Sequence, residues 1–441
     1  MRMRASVVAA DLGGELIGPD VALGGASIDS RTVTPGQLFV PLVAERDGHD
    51  FVAAAVDAGA SAYLSSVGPI DGVGAPAIVV DDTTVGLREL GRHARDRIGC
   101  PVIAVTGSVG KTSVKDLIAA ACGPMRTTHA SERSFNNELG VPLTLANTPD
   151  QAELVVVEMG ARGVGHIARL CEIARPTVGV VTRVALAHSE LFGSIDIVAA
   201  AKAELVAALP VDGVAVLNAD DDRVAAMASI APGRVTTYGI EAGDLQAMSI
   251  AVDGLLRPSF LAVGPAGPVA VSLPVRGVHM VSNAMAALAA ASAVGVDLWS
   301  AAEGLSQAEI SPWRMEVTRA GNGLIVINDA YNANPTSMRA ALDALNQVRA
   351  VERIAVLGAM AELGEEGPAE HRAVAAEAVD AGIRLIAVDA PEYGPDAIHV
   401  PDRTAAVSAL GELGAEMAVL VKGSRVAGLE RLAAELVETN S

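Results

Sequence analysis

Aromatic residues are scarce: two Trp, four Tyr and five Phe make up only 2% of 441 residues. The 51% that is hydrophobic is therefore carried mostly by small aliphatics, which suit buried parallel strands and closely packed helices. Only three cysteines occur, Cys100, Cys122 and Cys171, scattered and without a CxxC pair. That excludes a disulfide framework and a thiolate metal cluster. No apolar run reaches the roughly 20 uninterrupted residues of a membrane span. The nearest candidate, "SNAMAALAAASAVGVDLWS", carries Asn283 and Asp297 and reads as a buried helix. The N-terminus has Arg2 and Arg4 but no clean apolar segment before Asp11, so no signal peptide is read. Positive charge is also short: 32 Lys and Arg against 52 Asp and Glu give a net charge of -20. Such a surface argues against nucleic-acid or anionic-membrane partners, which need clustered Lys and Arg. A cytoplasmic location fits these absences.

At roughly 150 residues per domain, the length suggests about three domains. The first ~85 residues mix strand-like runs ("GQLFVPLVA", "SAYLSS", "APAIVVDD") with turns. From about residue 101, apolar strands alternate with glycine loops and helices: "VIAVT", "ELVVVEMG", "TVGVVTRV" and "GVAVLNADD". This alternation predicts a parallel sheet with helices on both faces, with ligands beyond the carboxyl ends of the strands. A second series of the same kind begins near residue 318, after an irregular stretch at 305–317 suited to a hinge. The expected fold is α/β with three domains. These are a smaller α/β N-terminal domain (1–85), a central P-loop parallel-sheet ATPase domain (86–315) and a Rossmann-like C-terminal domain (316–441).

The strongest local motif is "VTGSVGKTS", Val105 to Ser113, between a strand and a helix. Thr106, Gly107, Ser108, Val109 and Gly110 form a loop whose amides can face a phosphate. Lys111 reaches the terminal phosphates, Thr112 offers a hydroxyl to Mg²⁺, and Ser113 stands beside it. The general pattern would place glycine at Val105, so the match is imperfect. Glu158 closes the strand "LVVVE", where a carboxylate either holds Mg²⁺ or is an ordinary strand-end acid. By spacing alone, His188 and Lys202 are undistinguished, since a lone helical lysine is ordinarily solvated. Arg314 beside Trp313 reads equally well as a plain stacking pair.

Eleven motifs in order resemble those of the Mur ligase family. They include "SIDSRTVTPGQLFV", "DGHDF", "VTGSVGKTS", "SFNNELGVPLTL", "VVEMGARGVGHI", "AHSELFGSIDIVAAAKAEL", "SPWRMEV", "NDAYNANPTSM" and "VLVKGSR". Within the family, "SFNNELGVPLTL", "NDAYNANPTSM" and "GAMAELGEE" are similar to the branch that adds D-alanyl-D-alanine. The diaminopimelate-adding branch carries "YAH" where this chain reads "YNA", and a "DNPR" motif absent here. The resemblance implies an ATP-dependent amide ligase of peptidoglycan synthesis that works through an acyl phosphate. Its partners would be UDP-N-acetylmuramoyl-tripeptide and D-alanyl-D-alanine, its cofactors ATP and Mg²⁺, and a monomer is expected. It implies that Thr112, Glu158, His188 and a carbamylated Lys202 hold metal, and that Asn283, Arg314 and Asp329 meet the nucleotide. Ser30, Arg31, Asp47, Gly48 and His49 would take the uridine nucleotide, and Asn136 and Asn137 the muramoyl peptide. Asn332, Asn334, the loop Gly358 to Glu362, and Lys422 would face the incoming dipeptide. Arg183 departs from the family's usual Asn and adds a cation near the metal site. Ser189, Ala44 and Ala359 depart from the common Leu, Gly and acid at their positions. The rival readings are a sister ligase that adds a single amino acid and a non-catalytic ATP-binding relative.

Overall fold

The computed structural model describes residues 2–132, 134–185, 192–361 and 363–441. His188, Ser189 and Glu362 lie outside the described residues. Three large sheets follow one another along the chain. The first has five strands in the order Glu15–Ile17, Ala77–Val79, Ala62–Ser65, Leu38–Phe39 and Ala26–Ser27, parallel except for Glu15–Ile17. Its core borrows Leu143 and Ala146 from the helix Gly140–Ala146, which also packs under the central sheet. A β-carbon on Gly91 would lie 2.4 Å from the Pro142 Cα, so only glycine lets the helix Thr83–Arg97 approach so closely. Asn147 completes the clasp, accepting from the Ala26 N–H and donating to the Ala26 carbonyl, both at 2.9 Å.

The central sheet has nine strands. In order they are Gly267–Ser272, Pro258–Gly264, Leu245–Val252, Arg234–Gly239, Val214–Asn218, Val178–Val181, Val102–Thr106, Leu154–Glu158 and Thr128–Ala130. The expected parallel series is present from Leu245–Val252 to Thr128–Ala130. Its strands are valine runs buried on both faces, as helix-covered parallel strands must be. Beyond it an antiparallel meander, Leu245–Ser272, extends the sheet. There the burial alternates, as in "BiBeBii", because one face meets solvent. The stretch read as one buried helix is two: Met280–Ala293 buries ten of its fourteen residues, in part against the helix Lys111–Cys122, then the chain turns at Gly295 (φ +82°) and Asp297 caps a second helix, Leu298–Leu305. Alanine makes that close contact possible on all sides.

The third sheet runs Glu316–Arg319, Ile325–Asn328, Met417–Lys422, Glu352–Leu357, Arg384–Val388 and Ile398–Val400, parallel after its antiparallel first strand. Two features join it to the central part. The meander's hairpin tip drives Val252 and Leu256 into the third core beside Met315 and Ile327. Leu256 is 2% exposed although its φ is +64°, a conformation that a branched side chain adopts only under tertiary constraint. The segment Ser311–Met315 is the second joint. Its start is pinned by Asp116, which accepts from both the N–H and the hydroxyl of Ser311 at 2.8 Å. Its end is pinned by Asp329, which accepts from the Met315 N–H at 3.1 Å.

Candidate active site

A cleft of about 1190 Å³ opens between the second and third sheets, at the carboxyl ends of their strands. The motif loop forms its floor. Gly107 has φ +145°, and a β-carbon there would lie 1.9 Å from Thr182 Oγ1. Gly110 has φ +82° and faces Asn283, whose Oδ1 would lie 2.7 Å from an added β-carbon. Both glycines are therefore required by space and by backbone sign. Thr182 donates to the Val109 carbonyl at 2.6 Å, and Ser108 is locked at both ends, its N–H donating to Arg183 O and its hydroxyl to Ala185 O. The loop is thus rigid before any ligand arrives. Lys111 folds over it, donating to the carbonyls of Gly107 at 2.8 Å and Ser108 at 3.3 Å. Burial depresses the Lys111 pKa and nearby Arg314 adds to this, while Glu158 pulls the other way. Thr112 and Ser113 begin the helix and are buried; Thr106 lies beneath the loop and does not line the cleft.

Glu158 is 1% exposed. Asn136 donates to its Oε1 at 2.8 Å, whereas Oε2 is buried with no hydrogen-bond partner. A buried carboxylate oxygen left bare is costly unless a cation belongs there. Among the described residues no cluster of three His, Cys, Asp or Glu could hold a metal alone. Among the described residues the cleft offers there the Glu158 carboxylate and the Thr112 hydroxyl, hard oxygen donors of the kind that fit Mg²⁺ rather than a softer ion. Lys202 is 3% exposed and lies 5.7 Å from the Phe192 ring. Burial, with Lys111 adding, brings its pKa down to about 7 against a weaker opposing pull from Glu204. Glu204 itself is engaged elsewhere, accepting from the N–H groups of Gly165 and Ala168. Lys202 is therefore not the solvated helical lysine its spacing suggests. With Val198, Ala201 and Leu205 it occupies the buried stripe of the helix Ile195–Ala207, and a lysine inside such an i, i+3, i+4, i+7 stripe was the signal available.

Across the cleft, the buried Lys422 pairs with the partly buried Asp329 at 2.6 Å. Lys422 also donates to the carbonyls of Asn332 at 2.9 Å and Asp329 at 3.4 Å, so all three ammonium donors are used within the protein. Asn334 lines the cleft but works locally, capping the helix Pro335–Gln347 in a reciprocal box with Ser337. Asn137 likewise accepts from the N–H groups of Leu139 and Gly140. Gly358–Ala361 does not line the cleft; it buttresses the turn after Lys422, with Ser424 N donating to Ala359 O and Ala361 N to Ser424 Oγ.

The ring contacts at the joint went unseen in the sequence. Arg314 stacks not on its neighbour Trp313 but on Tyr331, at 4.2 Å, while Trp313 carries Arg425 at 4.4 Å. The Tyr331 hydroxyl donates to Ser134 Oγ on the opposite wall, two residues from Asn136. Contacts nearly 200 residues apart in sequence leave no local spacing to read.

The first sheet's candidates stand away from this cleft. Arg31 is exposed and forks onto Asp29 at 2.9 and 2.6 Å, which holds the Asp29 carboxyl down at about 2. Ser30 is partly exposed beside it. Asp47 accepts both from the His49 N–H and from its Nδ1, while Nε2 accepts from Ser66 N–H at 3.1 Å. That pairing fixes the neutral tautomer protonated on Nδ1. Gly48 lies against Leu42, with no room for a β-carbon.

A glycine-rich phosphate-loop motif facing a second α/β sheet across a cleft is the arrangement of a Mur-type ligase, and the chain belongs to the Mur ligase family. Residues 105–291 match the Mur ligase middle domain, and residues 313–425 match the Mur ligase, glutamate ligase domain. Within the family, the UDP-N-acetylmuramoyl-tripeptide--D-alanyl-D-alanine ligase of Mycobacterium tuberculosis is 40% identical over 94% of this chain and 92% of its own length. The crystal structure of MurF from Acinetobacter baumannii superposes with a TM-score of 0.88 at 30% identity, over 99% of both chains. MurF from Thermotoga maritima in complex with ADP gives 0.79 at 25% identity, over 94% of this chain and 97% of that one.

Proposed function

We propose that this chain is an ATP-dependent ligase that joins D-alanyl-D-alanine to UDP-N-acetylmuramoyl-tripeptide, releasing ADP and phosphate, as a cytoplasmic monomer. The observation that carries the reading is a relative of that name matched over nearly the full length of both chains. Among the described residues no helix is long and apolar enough to cross a membrane, which agrees with a soluble substrate pair.

In this reading residues 1–85 hold the uridine nucleotide through Ser30, Arg31 and the Asp47–His49 loop. Residues 86–315 hold ATP, and residues 316–441 receive the dipeptide. Thr112, Glu158 and, from outside the described residues, His188 would hold Mg²⁺. When bound, the ion supplies neutralising charge to the phosphates. Lys111 and Arg314 add fixed cations around the γ-phosphate, and the rigid glycine loop positions it without reorganisation. The tripeptide's terminal carboxylate oxygen attacks the γ-phosphorus as the ADP oxygen leaves. The dipeptide amine then adds to the acyl carbon, loses a proton and expels phosphate.

Lys202 has a role that its pKa of about 7 supports. The neutral amine present near that pH attacks the carbon of CO₂ and loses a proton to solvent. The carbamate so formed is an anionic oxygen ligand in place of a buried cation. Arg183, exposed at the rim of the same cleft, supplies a further positive charge there.

The test is phosphate release from ATP with Mg²⁺ and UDP-muramoyl-tripeptide, with and without D-alanyl-D-alanine. Dipeptide-dependent release, with a product heavier by the dipeptide residue mass, is expected. Turnover with a single amino acid instead would move the chain to a sister ligase, and ATP binding without turnover would make it a non-catalytic relative.

A further inference from the structure

The C-terminal wall of the cleft carries three cations besides the linker's Arg314: Arg339, Lys422 and Arg425. Lys422 spends its donors on Asp329 and two carbonyls. Arg339 is held by Glu370 at 3.0 Å and Glu377 at 2.7 Å. Arg425 is exposed and, among the described residues, has no carboxylate partner. Its guanidinium lies instead over the Trp313 ring at 4.4 Å and 5.9 Å from the Tyr331 ring. Stacking uses the face of a guanidinium and leaves its edge N–H donors free, in the fork that fits a carboxylate.

The platform is built at a cost. Trp313 sits at φ +61° and Met315 at φ +52°, backbone signs that bulky residues adopt only where the surroundings impose them. The turn that bears Arg425 is fixed as well, through Ser424 N to Ala359 O at 3.0 Å and Gly428 N to Arg425 O at 3.2 Å. A held, unpaired arginine on the wall of a substrate cleft has the form of an anion receptor awaiting its anion.

We propose that Arg425, stacked on Trp313, binds the free carboxylate of the incoming dipeptide and so selects a nucleophile that ends in one. This rests on the reaction proposed above, in which the incoming peptide brings an amine to the acyl carbon and carries a carboxylate at its other end. On the C-terminal wall Arg425 is the cation with unfilled capacity, so it, rather than Lys422, is placed to read that group.

The experiment compares wild type, Arg425→Gln, Arg425→Lys and Trp313→Leu with D-alanyl-D-alanine and with D-alanyl-D-alanine amide as amines. Wild type should prefer the free carboxylate by roughly 10- to 100-fold in kcat/KM, the range of a charge-assisted hydrogen-bonded pair. Arg425→Gln should raise the dipeptide KM by about the same factor, leave the ATP and UDP-tripeptide KM within about twofold, and accept both amines alike. Arg425→Lys should recover part of the preference, since it keeps charge without the fork. Trp313→Leu should weaken it with the charge intact. Thermal melting near the wild-type value would show that each variant folds. An Arg425→Gln enzyme that keeps the wild-type preference, or whose KM rises for ATP, would overturn the proposal. Wild-type turnover with single amino acids alone would instead overturn the reaction on which it rests.

Discussion

The two walls of the cleft treat buried charge in opposite ways. On the central wall, Glu158 has a bare oxygen, and the half-buried Lys111 and buried Lys202 have depressed pKa values and no carboxylate in hydrogen-bond contact among the described residues. On the C-terminal wall, Lys422 has Asp329, Arg339 has two glutamates, and Asn334 caps a helix. The first arrangement leaves binding capacity open and is costly to the folded state; the second fills it at these residues, leaving the exposed Arg425 open, and rigidifies the wall. Which charged residues await a ligand is thus legible from which ones the protein leaves incomplete.

The contrast can be broken most sharply at Glu158. Glu158→Gln keeps the volume and can keep the Asn136 contact but removes the charge. It should lower kcat/KM by roughly 10²- to 10³-fold, as loss of one preorganised electrostatic group does, while melting stays near wild type. Initial rates of phosphate release with saturating Mg²⁺ would measure this, and activity within a few-fold of wild type would contradict it.

The next effect is one of pH. Lys202 titrates near 7 in the folded chain against 10.5 for an ordinary lysine. Between those values the unfolded chain binds one more proton, so folding stability gains with rising pH. The handicap is complete below about pH 7 and gone above about 10.5. Relative to Lys202→Met in CO₂-free buffer, wild type should therefore gain stability from pH 7 to pH 9. Urea midpoints at the two pH values check the sign, and parallel curves for the two proteins would refute it.

The smallest effect tests the bridge between the walls. Tyr331→Phe keeps the ring under Arg314 but loses the contact to Ser134. A net hydrogen bond of about 0.5–1.5 kcal/mol corresponds to a fall of roughly 2- to 10-fold in kcat/KM for the tripeptide. Ser134→Ala should do the same, and the double variant no more than either alone. Additive losses would mean that the hydroxyl pair is not the operative contact.

The central wall was largely legible in the sequence. Strand, two glycines, GKT and helix specify a phosphate loop locally, and "LVVVE" specifies a strand that delivers its acid at the carboxyl end. The antiparallel meander at Leu245–Ser272 was not read, because its strands follow a parallel series and their alternation is diluted by alanine. Lys202 carried a readable signal, its place in a buried stripe, which the usual expectation for a lone lysine hides. The C-terminal wall was far less legible. Asn334 turns out to cap a helix and Lys422 to brace Asp329, uses that the same residue types show anywhere. Arg425, Trp313 and Tyr331 come together only in the folded chain, and nothing in their local spacing announces it.

Side-by-side thermal melting of Lys202→Met and Lys422→Met tests the contrast most directly. Both remove a buried ammonium of the same cleft. Lys422→Met strands Asp329 without its partner and should cost about 3–5 kcal/mol, seen as a clear drop in Tm. Lys202→Met removes a charge that lacks a hydrogen-bonded partner and should leave Tm unchanged or raised while turnover is lost. A large drop for Lys202→Met with none for Lys422→Met would contradict the account, because the open charge would then be the brace and the paired one the idle group.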